Sequence, residues 1–147
     1  MHLTTFTDYA LRVLISVGTK GDHELSTVSE MSKQYSISKN HLIKVVHHLS
    51  KTGYLETSQG KGGGLRLAKH PSNIRIGDVI RDTENHFDLV PCFSPAKKGG
   101  CAIEQACVLK RALREAVNAF LAVTDDYTLA DLLRPRHRLK TLLAVNA

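Results

Sequence analysis

Apolar residues near the start of the chain recur at three- and four-residue intervals, with Phe6, Ala10, Val13, Leu14 and Val17 on one helical face. Thr5 stands three residues before Asp8 as a capping-box-like pair, and Gly18 with Lys20-Gly21-Asp22 supplies a stop. The pattern predicts a helix over about Thr7 to Thr19. Thr27 with Glu30 three residues on opens a second, short helix running to about Tyr35. A third helix begins at Lys39: Ser38 can cap it, Ile37 can staple onto Leu42, and Gly53 stands just past its end. Leu42, Val45, Val46 and Leu49 form its apolar stripe, while Asn40, Lys44, His47 and Lys51 share the other face, flanked by His41 and His48. Two short helices around a Tyr35-Ser36-Ile37 turn, the second polar and basic outside, predict a helix-turn-helix.

The period then changes. Tyr54 to Ser58 and Leu65 to Ala68 read as strands around Gln59-Gly60-Lys61-Gly62-Gly63-Gly64, which makes a hairpin and, after a helix-turn-helix, a wing. This glycine loop lacks the Lys-Ser/Thr ending of a P-loop and joins two strands where a P-loop joins strand to helix. Past Pro71-Ser72, the residues Ile74, Ile76, Val79 and Ile80 suggest a short helix ending near Glu84. The stretch from His86 to Gly100, with two prolines and no sustained period, reads as a loop. Beyond Cys101, Ala106, Leu109, Leu113, Ala116, Phe120 and Val123 alternate at three and four, a seam that predicts pairing with a second copy, the alternative being a core helix. Thr128 and Asp131 can cap a last helix carrying Leu129, Leu132 and Leu133, followed by a basic tail from Arg134 to Lys140. The fold class expected is mainly α with a small β hairpin. It divides into a winged helix-turn-helix domain at 1–84, a cysteine-bearing loop at 85–107, and a dimerisation helix with a C-terminal helix at 102–147.

A length of 147 residues with 42% hydrophobic content fits one domain with a modest appendage. No apolar stretch approaches the ~18 residues of a membrane span, and the start lacks a signal-peptide layout, so a cytoplasmic protein is expected. Charge sharpens the picture. Of the net +6, five units fall between Ser36 and His70, where Lys39, Lys44, Lys51, Lys61, Arg66 and Lys69 face Glu56 as the one acid. Clustered positive charge points to a polyanion such as double-stranded operator DNA. Asn40 and His41, in the first turn of the recognition helix, are the candidates for base edges, because Asn can bond adenine through two atoms. Lys39, Lys44, Lys51 and Lys61 are candidates for phosphate, with Ser38 at the helix start. Gly60 and Gly62 let the wing backbone approach a minor groove. No catalytic triad, metal-binding helix motif or nucleotide loop is visible, so an enzyme is not expected; a DNA-free adaptor is the remaining alternative class.

Cys92, Cys101 and Cys107 are the chain's three cysteines, separated by eight and five residues. An odd, tight group argues against a disulfide framework and for metal or redox chemistry. The short knuckle of structural zinc sites is absent. Soft thiolates on a loop and a helix start suit an iron-sulfur cluster, with zinc or unligated thiols as alternatives. Three sulfurs leave one coordination place for oxygen or nitrogen.

Several blocks together carry a resemblance. Leu3-Thr4-Thr5-Phe6-Thr7-Asp8-Tyr9-Ala10-Leu11-Arg12, Ser38-Lys39-Asn40-His41-Leu42, Gly60-Lys61-Gly62-Gly63-Gly64, Ile74-Arg75-Ile76-Gly77-Asp78-Val79 and Tyr127-Thr128-Leu129-Ala130-Asp131 are similar to the NsrR-type repressors of the Rrf superfamily over nearly the whole chain. The resemblance implies a homodimeric bacterial repressor sensing nitric oxide, and so nitrosative stress, through an iron-sulfur cluster on Cys92, Cys101 and Cys107. It implies a 4Fe-4S cluster, with 2Fe-2S as the alternative, and Asp8 of the other subunit as a further ligand. The related regulators of IscR type place a histidine three residues after the third cysteine, where this chain has Lys110.

Overall fold

The computed structural model describes residues 2–21, 24–60, 62–97 and 99–145. Seven α-helices and one two-stranded sheet make up its regular structure, in the order α1 (Thr5–Lys20), α2 (Val28–Tyr35), α3 (Lys39–Lys51), β1 (Leu55–Ser58), β2 (Gly64–Leu67), α4 (Ile76–Thr83), α5 (Val108–Asp125), α6 (Leu129–Leu132) and α7 (Arg136–Val145). Four 3-10 turns lie between these elements, three of them in the loop that precedes α5. Among the described residues no helix is long and apolar enough to cross a membrane.

The fold is mainly α with a small hairpin, as the periodicities predict. Helix α1 runs through the centre of the core, burying Ala10, Val13, Leu14 and Val17. Met31 of α2, the stripe Leu42, Val45, Val46 and Leu49 of α3, and Tyr54, Leu55 and Leu65 of the hairpin close around it. The cap of α1 differs from expectation. Thr4, not Thr5, is the N-cap and accepts the Thr7 N–H, while Asp8 bonds Arg12 one turn on. The shift by one residue has a tertiary cause, since the Thr4 N–H also donates to Glu84 Oε1 at 2.7 Å. In α2 the Thr27–Glu30 capping box forms in both directions. Ser38 occupies the N-cap position of α3, but its hydroxyl makes no cap bond. Between α2 and α3 the turn places Ser36 at φ 54°, the one left-handed non-glycine residue among those described, and the Ile37 N–H closes it onto Ser32 C=O.

Strands β1 and β2 pair antiparallel with Glu56 opposite Arg66, and Ser26 adds a single bridge to Leu65. At the tip of the hairpin, a side chain at Gly63 would run into the Ser58 carbonyl, so the turn closes only around a glycine. The C-terminal half returns to the same core: Arg75 bridges Thr128, Leu129 N–H donates to Ile74 C=O, and Leu129 is almost fully buried. Further on, Arg136 donates to the Thr19 carbonyl in the last turn of α1.

Candidate nucleic-acid interface and cysteine loop

Helix α3 turns one face to the core and the other to solvent. Ser38, Lys39, Asn40, His41, Lys44, His47 and Lys51 are all exposed, so the residues expected to meet DNA form one continuous surface. Lys39, Lys44 and Lys51 make no ion pair among the described residues, which leaves their charges available for an external anion. Other basic side chains counted in this segment are already engaged. Arg66 pairs with Glu56 across the hairpin at 2.6 Å, and the Lys69 ammonium lies over the Tyr54 ring. His48 is tied into the fold: its Nε2 meets the Asp82 carbonyl at 2.9 Å and its ring meets Phe6 edge-on. The Asp82 side chain accepts the Tyr54 hydroxyl at 2.6 Å, and burial together with that bond pushes the Tyr54 phenol well up. The result is a rigid mount for α3, held from α1 and α4. Gly60 and Gly62 are exposed with φ of 96° and 86°, in the left-handed region, and open space surrounds both. Lys61 lies outside the described residues.

The three cysteines are free thiols in one stretch of chain. Cys92 is in the 3-10 turn Pro91–Phe93, whose Phe93 is buried beneath the Arg114 guanidinium, 3.9 Å from the ring centre. Cys101 is exposed, and Cys92 and Cys101 line a common cleft of about 420 Å³ with Pro91, Ala96, Lys97, Gly99 and Gly100. Cys107 is the N-cap of α5, its Sγ accepting the Lys110 N–H at 3.4 Å. The Cys107 sulfur thus stands at the N-terminal end of an 18-residue helix, where backbone N–H groups point toward it. Two partners missed by sequence reasoning brace this loop. The Glu104 carboxylate accepts the Gly99 N–H at 2.6 Å and pairs with the Lys110 ammonium, and it is only 11% exposed. That bond, helped by the nearby Cys92 sulfur, raises the Lys110 pKa. Spacing gives no signal for it, because Glu104 opens a 3-10 turn and Lys110 lies in the first turn of α5, so no single helical period relates them.

The chemistry of this donor set fits an iron-sulfur group: soft thiols, one at a helix N-terminus, with a lysine beside another. In a single chain, however, the described residues form no cluster of three metal-ligating side chains. Asp8, on α1, is held by Arg12 at 2.9 Å and does not join the cysteines.

Comparisons with known proteins agree with this architecture. Residues 3–135 match the Rrf2 family, described as iron-dependent transcriptional regulators. The HTH-type transcriptional regulator NsrR of Bacillus licheniformis is 47% identical over 144 residues, covering 98% of this chain and 100% of that one. The regulator of the same name from Bacillus subtilis strain 168 is 48% identical over 143 residues and 97% of each chain. Among solved structures, T. potens IscR has a TM-score of 0.72 at 22% identity, covering 91% of this chain and 87% of its own. Oxidised Staphylococcus aureus CymR also has a TM-score of 0.72, at 23% identity over 91% of this chain and 97% of its own, so both show the fold alone. The chain therefore belongs to the Rrf2 family of transcriptional regulators, is not an enzyme, and resembles the family's NsrR members along nearly its whole length.

Proposed function

We propose that the chain is a homodimeric bacterial transcription repressor that holds operator DNA and releases it when nitric oxide reaches an iron-sulfur cluster on the cysteine loop. The observation that carries this reading is the exposed, basic outer face of α3, mounted beside a glycine-tipped wing in a chain that also bears three free thiols. Two α3 helices enter successive major grooves of a two-fold operator, and the wings reach the flanking minor grooves. Asn40 and His41 meet base edges; Lys39, Lys44, Lys51 and Lys61 neutralise phosphate, with Ser38, Gly60 and Gly62 at the backbone. The exposed seam of α5, with Leu109 and Val123 more than half exposed, supports pairing with a second copy.

Cys92, Cys101 and Cys107 would hold the cluster, 4Fe-4S or alternatively 2Fe-2S, with Asp8 of the partner subunit completing the set. When bound, the group supplies iron that nitric oxide attacks. Glu104 and Lys110 brace the loop that carries the thiols, so any rearrangement there is passed to the start of α5 through Cys107. Movement of α5 changes the seam, and with it the spacing of the two α3 helices. A second reading is a winged DNA binder whose thiols are structural or zinc-bound; that the described thiols do not converge within one chain favours its unligated, structural form.

Protein purified without oxygen separates the two. The repressor reading expects brown protein that shifts genomic operator fragments on a gel, with nitric oxide bleaching the visible absorption and abolishing the shift. Mössbauer spectra before and after nitric oxide then fix the cluster type. Colourless, zinc-bearing protein with unchanged DNA affinity overturns the sensing part.

A further inference from the structure

Eight large apolar side chains stand exposed among the described residues. Seven of them, Ile103 through Val145, belong to the cysteine loop, the C-terminal helices and the turn before α6, where a second copy has surface to cover. The eighth is Ile43, 54% exposed and alone in the N-terminal half. It stands on α3, where Asn40 one turn before it, His47 one turn after it and Lys44 next to it in sequence are all exposed.

Folding does not account for an isoleucine at this place. Helix α3 meets the core through Leu42, Val45, Val46 and Leu49, and Ile43 contributes nothing to that stripe. A β-branched residue is also a weaker helix former than the lysine or glutamine that would suit an exposed site. The lysines around it attract a polyanion rather than an apolar protein surface. On the floor of a major groove the apolar feature is the 5-methyl group of thymine.

We propose that Ile43 reads thymine in the operator by packing on its methyl group, and is a specificity-determining residue of α3. The proposal rests on the DNA-binding reading of α3 and names what that face selects. Three residues along a helix advance about 4.5 Å, near the ~3.4 Å step of base pairs. Ile43 therefore addresses a base pair neighbouring the one that Asn40 reaches. Asn40 selects by hydrogen bonds and Ile43 by shape and hydrophobic contact, so the two signals are separable.

The test uses the full-length protein, prepared without oxygen, and a pool of randomised duplexes. Sequences retained by the wild type, by Ile43→Ala and by Lys44→Ala are compared, and each thymine of the selected duplex is then replaced by deoxyuridine. One thymine per half-site is expected to matter: its replacement weakens wild-type binding about four-fold per half-site, as loss of one buried methyl predicts. Ile43→Ala is expected to bind more weakly by a similar factor, to lose preference at that position, and to bind thymine and uracil duplexes alike. Lys44→Ala lowers affinity for all sequences while keeping the thymine preference. If Ile43→Ala retains every wild-type preference, or weakens all sequences equally, the proposal fails and the DNA-binding reading stands. If the wild type selects no sequence at all, the DNA-binding reading fails with it.

Discussion

At Gly77 there is no room for a side chain: a methyl placed there would overlap the Asp125 carboxylate and crowd the Arg81 guanidinium. Its absence lets Asp125 accept two N–H groups of Arg81, at 2.6 and 2.7 Å, in a fork that ties α4 to the last turn of α5. Gly77→Ala is expected to destabilise the fold by about 1–3 kcal/mol, read from urea unfolding, because the fork must open to admit the methyl. The hydrogen bond from Arg81, followed by its charge, holds the Asp125 carboxyl below its usual range. Since the folded pKa lies under the unfolded value of about 3.9, the pair's contribution is complete above that value. It is lost as pH falls through the depressed folded pKa. Melting temperatures of the wild type and Asp125→Asn, followed from neutral pH to about pH 2, should therefore converge at the acid end. A gap that stays constant would show that the link is not electrostatic.

The helix-turn-helix depends on how well its short members are started and stopped. In α2, of eight residues, the Thr27 hydroxyl accepts the Glu30 N–H at 3.2 Å, and Glu30 returns the bond to the Thr27 N–H at 2.9 Å. Lys20 adds its ammonium to the same carboxylate, pinning the end of α1 to the start of α2. Thr27→Ala is expected to cost about 1 kcal/mol of stability, measured by thermal or urea unfolding. Glu30→Ala should cost more, because it also leaves Lys20 with fewer partners. These signals were legible in the sequence, since a capping box is written at a spacing of three. The cap of α1 stands one residue before the place the sequence suggests, because the choice depends on Glu84, eighty positions away. Sequence alone likewise places His48 on the flank of the polar face of α3 and says nothing of its partners, whereas the Asp82 carbonyl and the Phe6 ring tie it into the fold.

For the whole molecule, the apolar surface of α5 is the feature a single chain leaves open. Only Val117 of this helix is buried, while Leu109 and Val123 are 64% and 58% exposed. For the dimer proposed above, Leu109→Glu is expected to give monomer where the wild type sediments or scatters as a dimer, while the helical circular dichroism is retained. A two-fold operator should then be bound far more weakly, because each recognition helix acts alone. The other end of α5 is anchored through Arg81 and Asp125, so its cysteine-bearing start and its clamped finish lie at opposite ends of one rigid element. A change at Cys107 therefore has a direct mechanical route along α5 to α4 and the N-terminal core.

The amino-acid sequence by itself determined the elements up to α6, the exposed basic face of α3, the wing and the thiol-bearing loop, but where it reads as a basic tail from Arg134 to Lys140 the structure has a further helix, α7. Each feature it determined is written in neighbouring residues: a hydrophobic period, a cap three residues away, a glycine where φ turns positive. Tertiary structure alone decided which contacts bind those elements together. Arg81 finds Asp125, Arg75 meets Thr128, and Arg136 reaches the Thr19 carbonyl across 117 positions. Such pairs have no characteristic spacing, because they follow from how packed helices approach one another. The cysteines show the same division: their chemistry is legible in their number and nearness along the chain, whereas their arrangement in space is set by buried Phe93, by Glu104 with Lys110, and by the start of α5.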